Sequence, residues 1–283
     1  MPTALLFPGQ ASQTPDMRDA VAALRPDLLE RVSELVGEDP FARVDDGTQF
    51  AQPAIFCASL AGLEAAGVEF DAVAGHSLGE LTALVAAGAL EEEDGLALVV
   101  ERGRLMQRAG RMSGTGGMLA VLGGADGEAA GLARAPEVVV ANDNAPGQVV
   151  LSGDARVLEE VAAQAREQGL RAMALGVAGA FHSPFMQPAA DAFADAVAVT
   201  AFRAPRCPVY SCVTAAPLDD PRRRLVQGLT APVRWRETLL ALHAAGFDRY
   251  VESGPGKVLT RLVGRTLDGV EAVTVDALGG ARV

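Results

Sequence analysis

Ala72-Val73-Ala74-Gly75-His76-Ser77-Leu78-Gly79-Glu80 is the stretch on which the reading of this chain turns. Ala72 to Ala74 is a short apolar run with the character of a buried strand. Gly75-x-Ser77-x-Gly79 follows directly, and Leu81 to Ala87, rich in alanine and leucine, reads as a helix. Strand, G-x-S-x-G and helix in that order describe a nucleophile elbow. The glycines have a steric task, because side chains flanking so sharp a reversal would collide. The turn lifts the Ser77 hydroxyl to the N-terminus of a helix, where free N–H groups and the positive end of the dipole stabilise an oxyanion. A bare G-x-S-x-G also arises by chance; the strand before it and the helix after it give it weight.

Around this motif, 283 residues with 49% hydrophobic content provide for one large domain, or a large domain carrying a smaller one. No apolar run approaches the length of a membrane span, and the N-terminus lacks the pattern of an export signal, so a cytoplasmic protein that avoids membranes is expected. Cys57, Cys207 and Cys212 are odd in number and not at zinc-like spacing, which predicts free, buried thiols. The formal net charge of −12 argues against a nucleic-acid partner. Lys257 is the one lysine, so a site for an anion is expected to use arginine.

Taken in order, Thr3 to Phe7 is a buried strand ended by Pro8-Gly9. Gln10 sits in the loop past its carboxyl end, where ligand-contacting loops of open α/β sheets lie. Helices are expected over Asp16 to Leu24, Pro26 to Val36 and Gln52 to Ala66, the last closed by Gly67. Glu91-Glu92-Glu93-Asp94 opens a further helix to about Ala109, as acidic first turns do; capping explains that cluster better than a metal site. Arg102 and Met106 share a face of this helix, and an arginine beside apolar residues needs either an acidic neighbour or a ligand anion.

Arg111 to Gly117 reads as a flexible link. Beyond it the expected elements are a strand Met118–Leu122, a helix Asp126–Ala133, a strand Val138–Ala141, a turn Asn142–Gly147, a strand Gln148–Ser152, a helix Ala155–Gln168 and a strand Ala172–Val177. That βαββαβ order is a ferredoxin-like unit interrupting a larger α/β pattern, with a ligand cleft expected between the lobes. His182 lies where the chain leaves the unit, in a loop able to deliver a base into the cleft; His243 lies on a helix and is the lesser candidate.

Together these pieces resemble the malonyl-CoA:acyl-carrier-protein transacylases of fatty acid synthesis and the related acyltransferase domains of polyketide synthases. The resemblance rests on Phe7-Pro8-Gly9-Gln10, Gly75 to Glu80, Arg102 to Gln107, Asn142 to Val150, Gly179-Ala180-Phe181-His182, Pro232-Val233-x-Trp235 and Gly254 to Leu259, in family order over nearly the whole chain. It implies an α/β-hydrolase-like core, residues 1–115 and 182–283, with the ferredoxin-like subdomain inserted as 116–181. It implies Ser77 as nucleophile, His182 as general acid/base, and the N–H groups of Gln10 and Leu78 as the oxyanion hole. Arg102 would bind the malonyl carboxylate, Met106 and Asn144 would line the acyl and pantetheine channel, and Phe181 would limit branched acyl groups. The family orients its histidine with the carbonyl of a glutamine or asparagine; the equivalent here is Gly228, with Gln227 one position early.

The implied partners are acyl carrier protein and malonyl-CoA, with no metal, no bound cofactor and a monomeric state. The pathway served, fatty acid or polyketide, stays open. A serine acyl-thioester hydrolase is the competing reading; it would need His243 as base and leave His182 and Arg102 idle. A non-catalytic docking protein is a third. The C-terminal cations Arg222, Arg223, Arg224, Arg234, Arg236, Lys257, Arg261 and Arg265 are candidates for a carrier-protein patch.

Overall fold

The computed structural model describes residues 1–134 and 136–279; position 135 of the expected insertion and positions 280–283 of the expected core lie outside the described residues. The chain opens with strand β1 (Thr3–Phe7), helices α1 (Met17–Leu24), α2 (Pro26–Val36) and α3 (Thr48–Ala66), then strand β2 (Ala72–Gly75), α4 (Gly79–Ala86) and α5 (Glu92–Ser113). A second group follows: β3 (Gly116–Leu122), β4 (Val138–Ala145), β5 (Gln148–Asp154), α6 (Ala155–Glu167) and β6 (Arg171–Ala174). The last group is α7 (Gln187–Val199), β7 (Val209–Ser211), β8 (Ala216–Pro217), α8 (Pro221–Gln227), α9 (Trp235–Ala244), β9 (Arg249–Glu252), α10 (Val258–Thr266) and β10 (Glu271–Thr274).

The fold is mixed α/β, with two sheets among the described residues. One has the order β10-β9-β1-β2-β7-β8, parallel except for the β7–β8 pair. β1 is buried along its length, and its alternating side chains serve two cores. Leu5 and Phe7 join a cluster with Phe56, Leu81 and Phe193, whereas Leu6 joins one with Trp235, Leu239 and Leu262. Because β1 and β2 are parallel neighbours, with Phe7 opposite Gly75, the Gln10 loop and the elbow emerge at the same sheet edge. No helix among the described residues is long and apolar enough to cross a membrane.

The second sheet, order β4-β5-β3-β6, is antiparallel and packs a separate cluster of Leu119, Val121, Leu151, Leu158 and Val161. Four expectations need correction here. The helix expected over 126–133 shrinks to a 3-10 turn, Ala130–Leu132, since Gly127 sits at φ +80° and Gly131 adds a second weak helix former. The turn expected over 142–147 is confined to Pro146-Gly147. β4 runs on to Ala145 because Ala141 and Asp143 pair with the Val233 backbone, at the cost of two bulges. The last strand ends at Ala174, short of Val177. The long flexible link reduces to Gly114-Thr115, as α5 continues to Ser113. Acidic residues do fill the first turn of α5, and Glu92 and Glu93 are held there by Arg25 and Arg31.

Candidate active site

The elbow obeys the steric argument. A Cβ on Gly75 would lie 1.9 Å from the Gly79 carbonyl carbon, and one on Gly79 would lie 2.2 Å from the Phe7 carbonyl oxygen. Ser77 itself has φ +55°, a left-handed conformation that a non-glycine residue adopts under constraint. His182 shares that property at φ +55°. Its loop is clamped on α5, where a Cβ on Gly179 would come within 2.5 Å of the Gly110 Cα. Two strained residues from distant parts of the chain thus meet: Ser77 Oγ lies 2.8 Å from His182 Nε2.

On the other side of the ring, His182 Nδ1 lies 3.2 Å from the Ala231 carbonyl oxygen, which therefore accepts the Nδ1 proton and leaves Nε2 free to accept from Ser77. Gly228 is the expected acceptor, but the hydrogen bond within 3.5 Å is to Ala231, and the Gly228 backbone only adds to the forces favouring the protonated ring. A backbone acceptor has no sequence signature, so Ala231 could not be anticipated. Burial, then the nearby Arg102 charge, then His76, push the His182 pKa down to about 3, so the ring is neutral at physiological pH.

Arg102 is 3% exposed and has no carboxylate in salt-bridge contact among the described residues. Its Nη1 donates to Gln52 Oε1 at 2.7 Å and its Nη2 to Ser77 Oγ at 3.1 Å. Burial lowers its pKa to about 10, offset in part by Cys212 and Glu80. Glu80, also buried, accepts from Cys212 N–H at 2.9 Å, and its own pKa is pushed up to about 7 by burial. A cation buried beside a serine and short of a full counter-charge is a receptor for a small anion.

Gln10 lies three residues past β1 and Leu78 directly follows Ser77 after β2, and among the described residues neither main-chain N–H donates to another group. Both are available as oxyanion donors. Met106 is buried against Gln52 Nε2, with its sulfur at 3.3 Å, and Phe181 is buried next to His182. Asn144 reaches the elbow through His76, Oδ1 to Nε2 at 2.9 Å, with His76 edge-on to Trp235. His243 is exposed at the end of α9 and faces Asp248 at 3.2 Å, while the imidazole on Ser77 is that of His182, so the base required by the hydrolase reading is not in place.

Residues 7–281 match the family model described as an acyl transferase domain. The chain belongs to the acyl transferase family. Its relatives include the malonyl CoA-acyl carrier protein transacylase of Synechocystis, 39% identical over 94% of this chain and 94% of that protein. The polyketide biosynthesis protein ThaF of Burkholderia thailandensis is 40% identical over 93% of this chain, which spans only 24% of that longer protein. Among solved structures, a malonyl-transacylase in complex with a type II PKS acyl-carrier protein has a TM-score of 0.86 and 31% identity, covering 97% of this chain and 94% of that one.

Within this acyl transferase, two polar residues of the site escaped the sequence reading. Thr48 and Gln52 are each 1% exposed on α3 and link Gln10 to Arg102. A signal was present for Gln52, a polar residue in the otherwise apolar, all-buried run Ala51 to Ala58. The basic patch also needs correction. Arg223 and Arg224 pair with Asp219, Arg234 with Glu237, and Arg236 with Asp126 and Asp143, while Arg222 lies over Phe202. Lys257, Arg261 and Arg265 have no acidic partner among the described residues.

Proposed function

We propose that this acyl transferase moves a malonyl group from malonyl-CoA to the phosphopantetheine thiol of acyl carrier protein through a malonyl-Ser77 ester. The names of its relatives support the substrate pair. The observation that carries the reading is Arg102: a buried guanidinium with no carboxylate in ion-pair contact among the described residues, hydrogen-bonded to the same serine oxygen that faces His182. A malonyl group differs from an acetyl group by one carboxylate, and only such a cation distinguishes them.

In this mechanism Ser77 attacks the thioester carbonyl as its proton passes to His182 Nε2. The Gln10 and Leu78 N–H groups hold the oxyanion, and CoA leaves as its thiol with the proton from His182. The carrier thiol then attacks the ester by the reverse sequence. The substrate carboxylate assists: by neutralising Arg102 it removes one cause of the depressed His182 pKa and makes the ring a stronger base. Ala231 and Gly228 orient the imidazole, Met106, Asn144 and Phe181 line the acyl and pantetheine channel, and the ester is hydrolysed wherever water reaches it in place of the carrier thiol. The architecture is taken as an α/β-hydrolase-like core, 1–115 and 182–283, carrying a ferredoxin-like subdomain, 116–181; the 2-3-1-4 order of the second sheet supports the latter name. The cytoplasm is the proposed setting.

Arg102→Ala tests the assignment. A bidentate arginine–carboxylate contact in a partly dry cleft contributes about 2–4 kcal/mol, so kcat/KM for malonyl-CoA should fall roughly 30- to 1,000-fold. Acetyl transfer should hold or rise, since acetyl has no charge to lose. Parallel loss of both activities would make Arg102 structural and withdraw the malonyl reading.

A further inference from the structure

The side chains between Arg102 and Gln10 form one continuous chain of hydrogen bonds. Arg102 Nη1 donates to Gln52 Oε1 at 2.7 Å, Gln52 Nε2 to Thr48 Oγ1 at 2.8 Å, and Thr48 Oγ1 to Gln10 Oε1 at 2.5 Å. The directions as far as Thr48 are forced by the donor-only guanidinium, and the last is the one found. A guanidinium has only donors, so Gln52 must turn its oxygen to Arg102 and its NH2 to Thr48. The second proton of that NH2 meets the Met106 sulfur at 3.3 Å, leaving Gln52 no freedom to flip. Thr48, having accepted from Gln52, has a single proton to give, and gives it to the Gln10 oxygen. Gln10 must then present its own NH2 away from Thr48, where it has no partner among the described residues.

The relay is also fixed in place. Thr48 N–H donates to Gln107 Oε1 at 3.0 Å, five residues beyond Arg102 on α5. The preceding Gly47, at φ +145°, leaves room for that side chain: a Cβ there would be 2.4 Å from the Gln107 oxygen. Thr48, Gln52, Arg102 and Gln107 are all buried. Such a chain transmits orientation because no member can turn alone without leaving a buried polar group unsatisfied.

We propose that Thr48 and Gln52 are positioning residues that couple the carboxylate site at Arg102 to the oxyanion loop at Gln10. The inference rests on the reading in which Arg102 receives the malonyl carboxylate. Its consequence is that selectivity for malonyl over acetyl depends on two residues that touch neither acyl group. Arg102 held by Gln52 meets the carboxylate in a set orientation, and the same chain sets Gln10 beside the reacting carbonyl. A charge at one end is thereby matched to a donor at the other.

The experiment measures kcat/KM for malonyl-CoA and acetyl-CoA, with holo acyl carrier protein as acceptor, in the wild type, Thr48→Val, Thr48→Ser, Gln52→Leu, Arg102→Ala and the Arg102→Ala/Thr48→Val double variant. Thr48→Val keeps the shape and deletes the hydroxyl, and should lower the malonyl-to-acetyl ratio about 5- to 30-fold, the scale of one hydrogen bond in a buried charged network. Thr48→Ser restores the hydroxyl and should restore the ratio. In the Arg102→Ala background Thr48→Val should leave the ratio unchanged, because the two substitutions cut the same chain. If Thr48→Val does not fold, as judged by circular dichroism, Gln52→Leu reads the same link. Should Arg102→Ala lower the ratio while Thr48→Val and Gln52→Leu depress both substrates equally, the relay is overturned and the carboxylate site stands. Should Arg102→Ala leave the ratio intact, the carboxylate reading falls, and the relay with it.

Discussion

His182 is neutral because of where it stands. An exposed histidine titrates near 6.5, but burial and the Arg102 charge lower this one to about 3. A lowered pKa means that the folded protein resists protonation as pH falls, so the base stays competent through the range in which an ordinary histidine is lost. Formation of malonyl-Ser77, followed by mass spectrometry with Ser77→Ala as the blank, should therefore show no inflection near pH 6.5 in kcat/KM. The acid limb of kcat should appear at higher pH than that of kcat/KM, since kcat reports the bound state in which Arg102 is already neutralised. An ordinary histidine limb in the free protein would mean that His182 is hydrated and unshielded.

The elements that carry these residues depend on glycine at a few close approaches, and elsewhere glycine only weakens them. Gly79→Ala would drive a methyl group to 2.2 Å from the Phe7 carbonyl, between β1 and the start of α4. The backbone cannot yield there without separating the two strand ends that form the site, so a loss above about 3 kcal/mol, or failure to fold, is expected. Gly264 is the opposite case: it is exposed within α10, and an added methyl group would meet nothing within 4 Å. Gly264→Ala should stabilise by about 0.5–1 kcal/mol through helix propensity alone. Urea titration of both variants checks the contrast, and a similar response from the two would overturn the steric account of the elbow.

At the scale of the whole molecule, charge opposes the proposed partnership. The chain carries −12, so attraction of an acidic carrier protein must be local. Most of the C-terminal arginines are already matched by neighbouring acids. Arg222 is taken up by Phe202 and the Thr200 carbonyl. Among the described residues that leaves Lys257, at the N-cap of α10, and Arg261 and Arg265 on the helix, all exposed. The stripe runs from the Gly256 turn, which abuts the Ser12 carbonyl just past Gln10, to Arg265 at the Pro146 carbonyl, two residues past Asn144. It therefore runs between two segments that also carry Gln10 and Asn144. Arg261→Glu and Arg265→Glu should each raise KM for acyl carrier protein about 3- to 10-fold, the scale of a rim charge contact, and leave KM for malonyl-CoA little changed. Arg223→Glu, at an arginine already paired with Asp219, should do less. Steady-state kinetics with each substrate varied in turn decides the point.

Local chemistry determined much of this protein from the sequence alone. Only glycine permits the elbow's approaches, so Gly75-x-Ser77-x-Gly79 located the serine; apolar period and caps located most of the elements; and Arg102 stood out as a charge beside apolar residues, with an acidic neighbour and a ligand anion both left open. Where local preference was weak, the sequence misled: Gly127 and Gly131 undid a helix, and pairing with Val233 extended β4 through residues that read as a turn. What only the tertiary structure decided lies between segments distant in the chain. Ala231 orients His182 through a carbonyl that every residue possesses, and acids scattered along the surface cancel most of the arginine cluster. Thr48 and Gln52 acquire their meaning from α5 and from the loop after β1. Hydrogen bonds and ion pairs act over about 3 Å in space, and sequence spacing carries no record of which side chains folding brings within that distance.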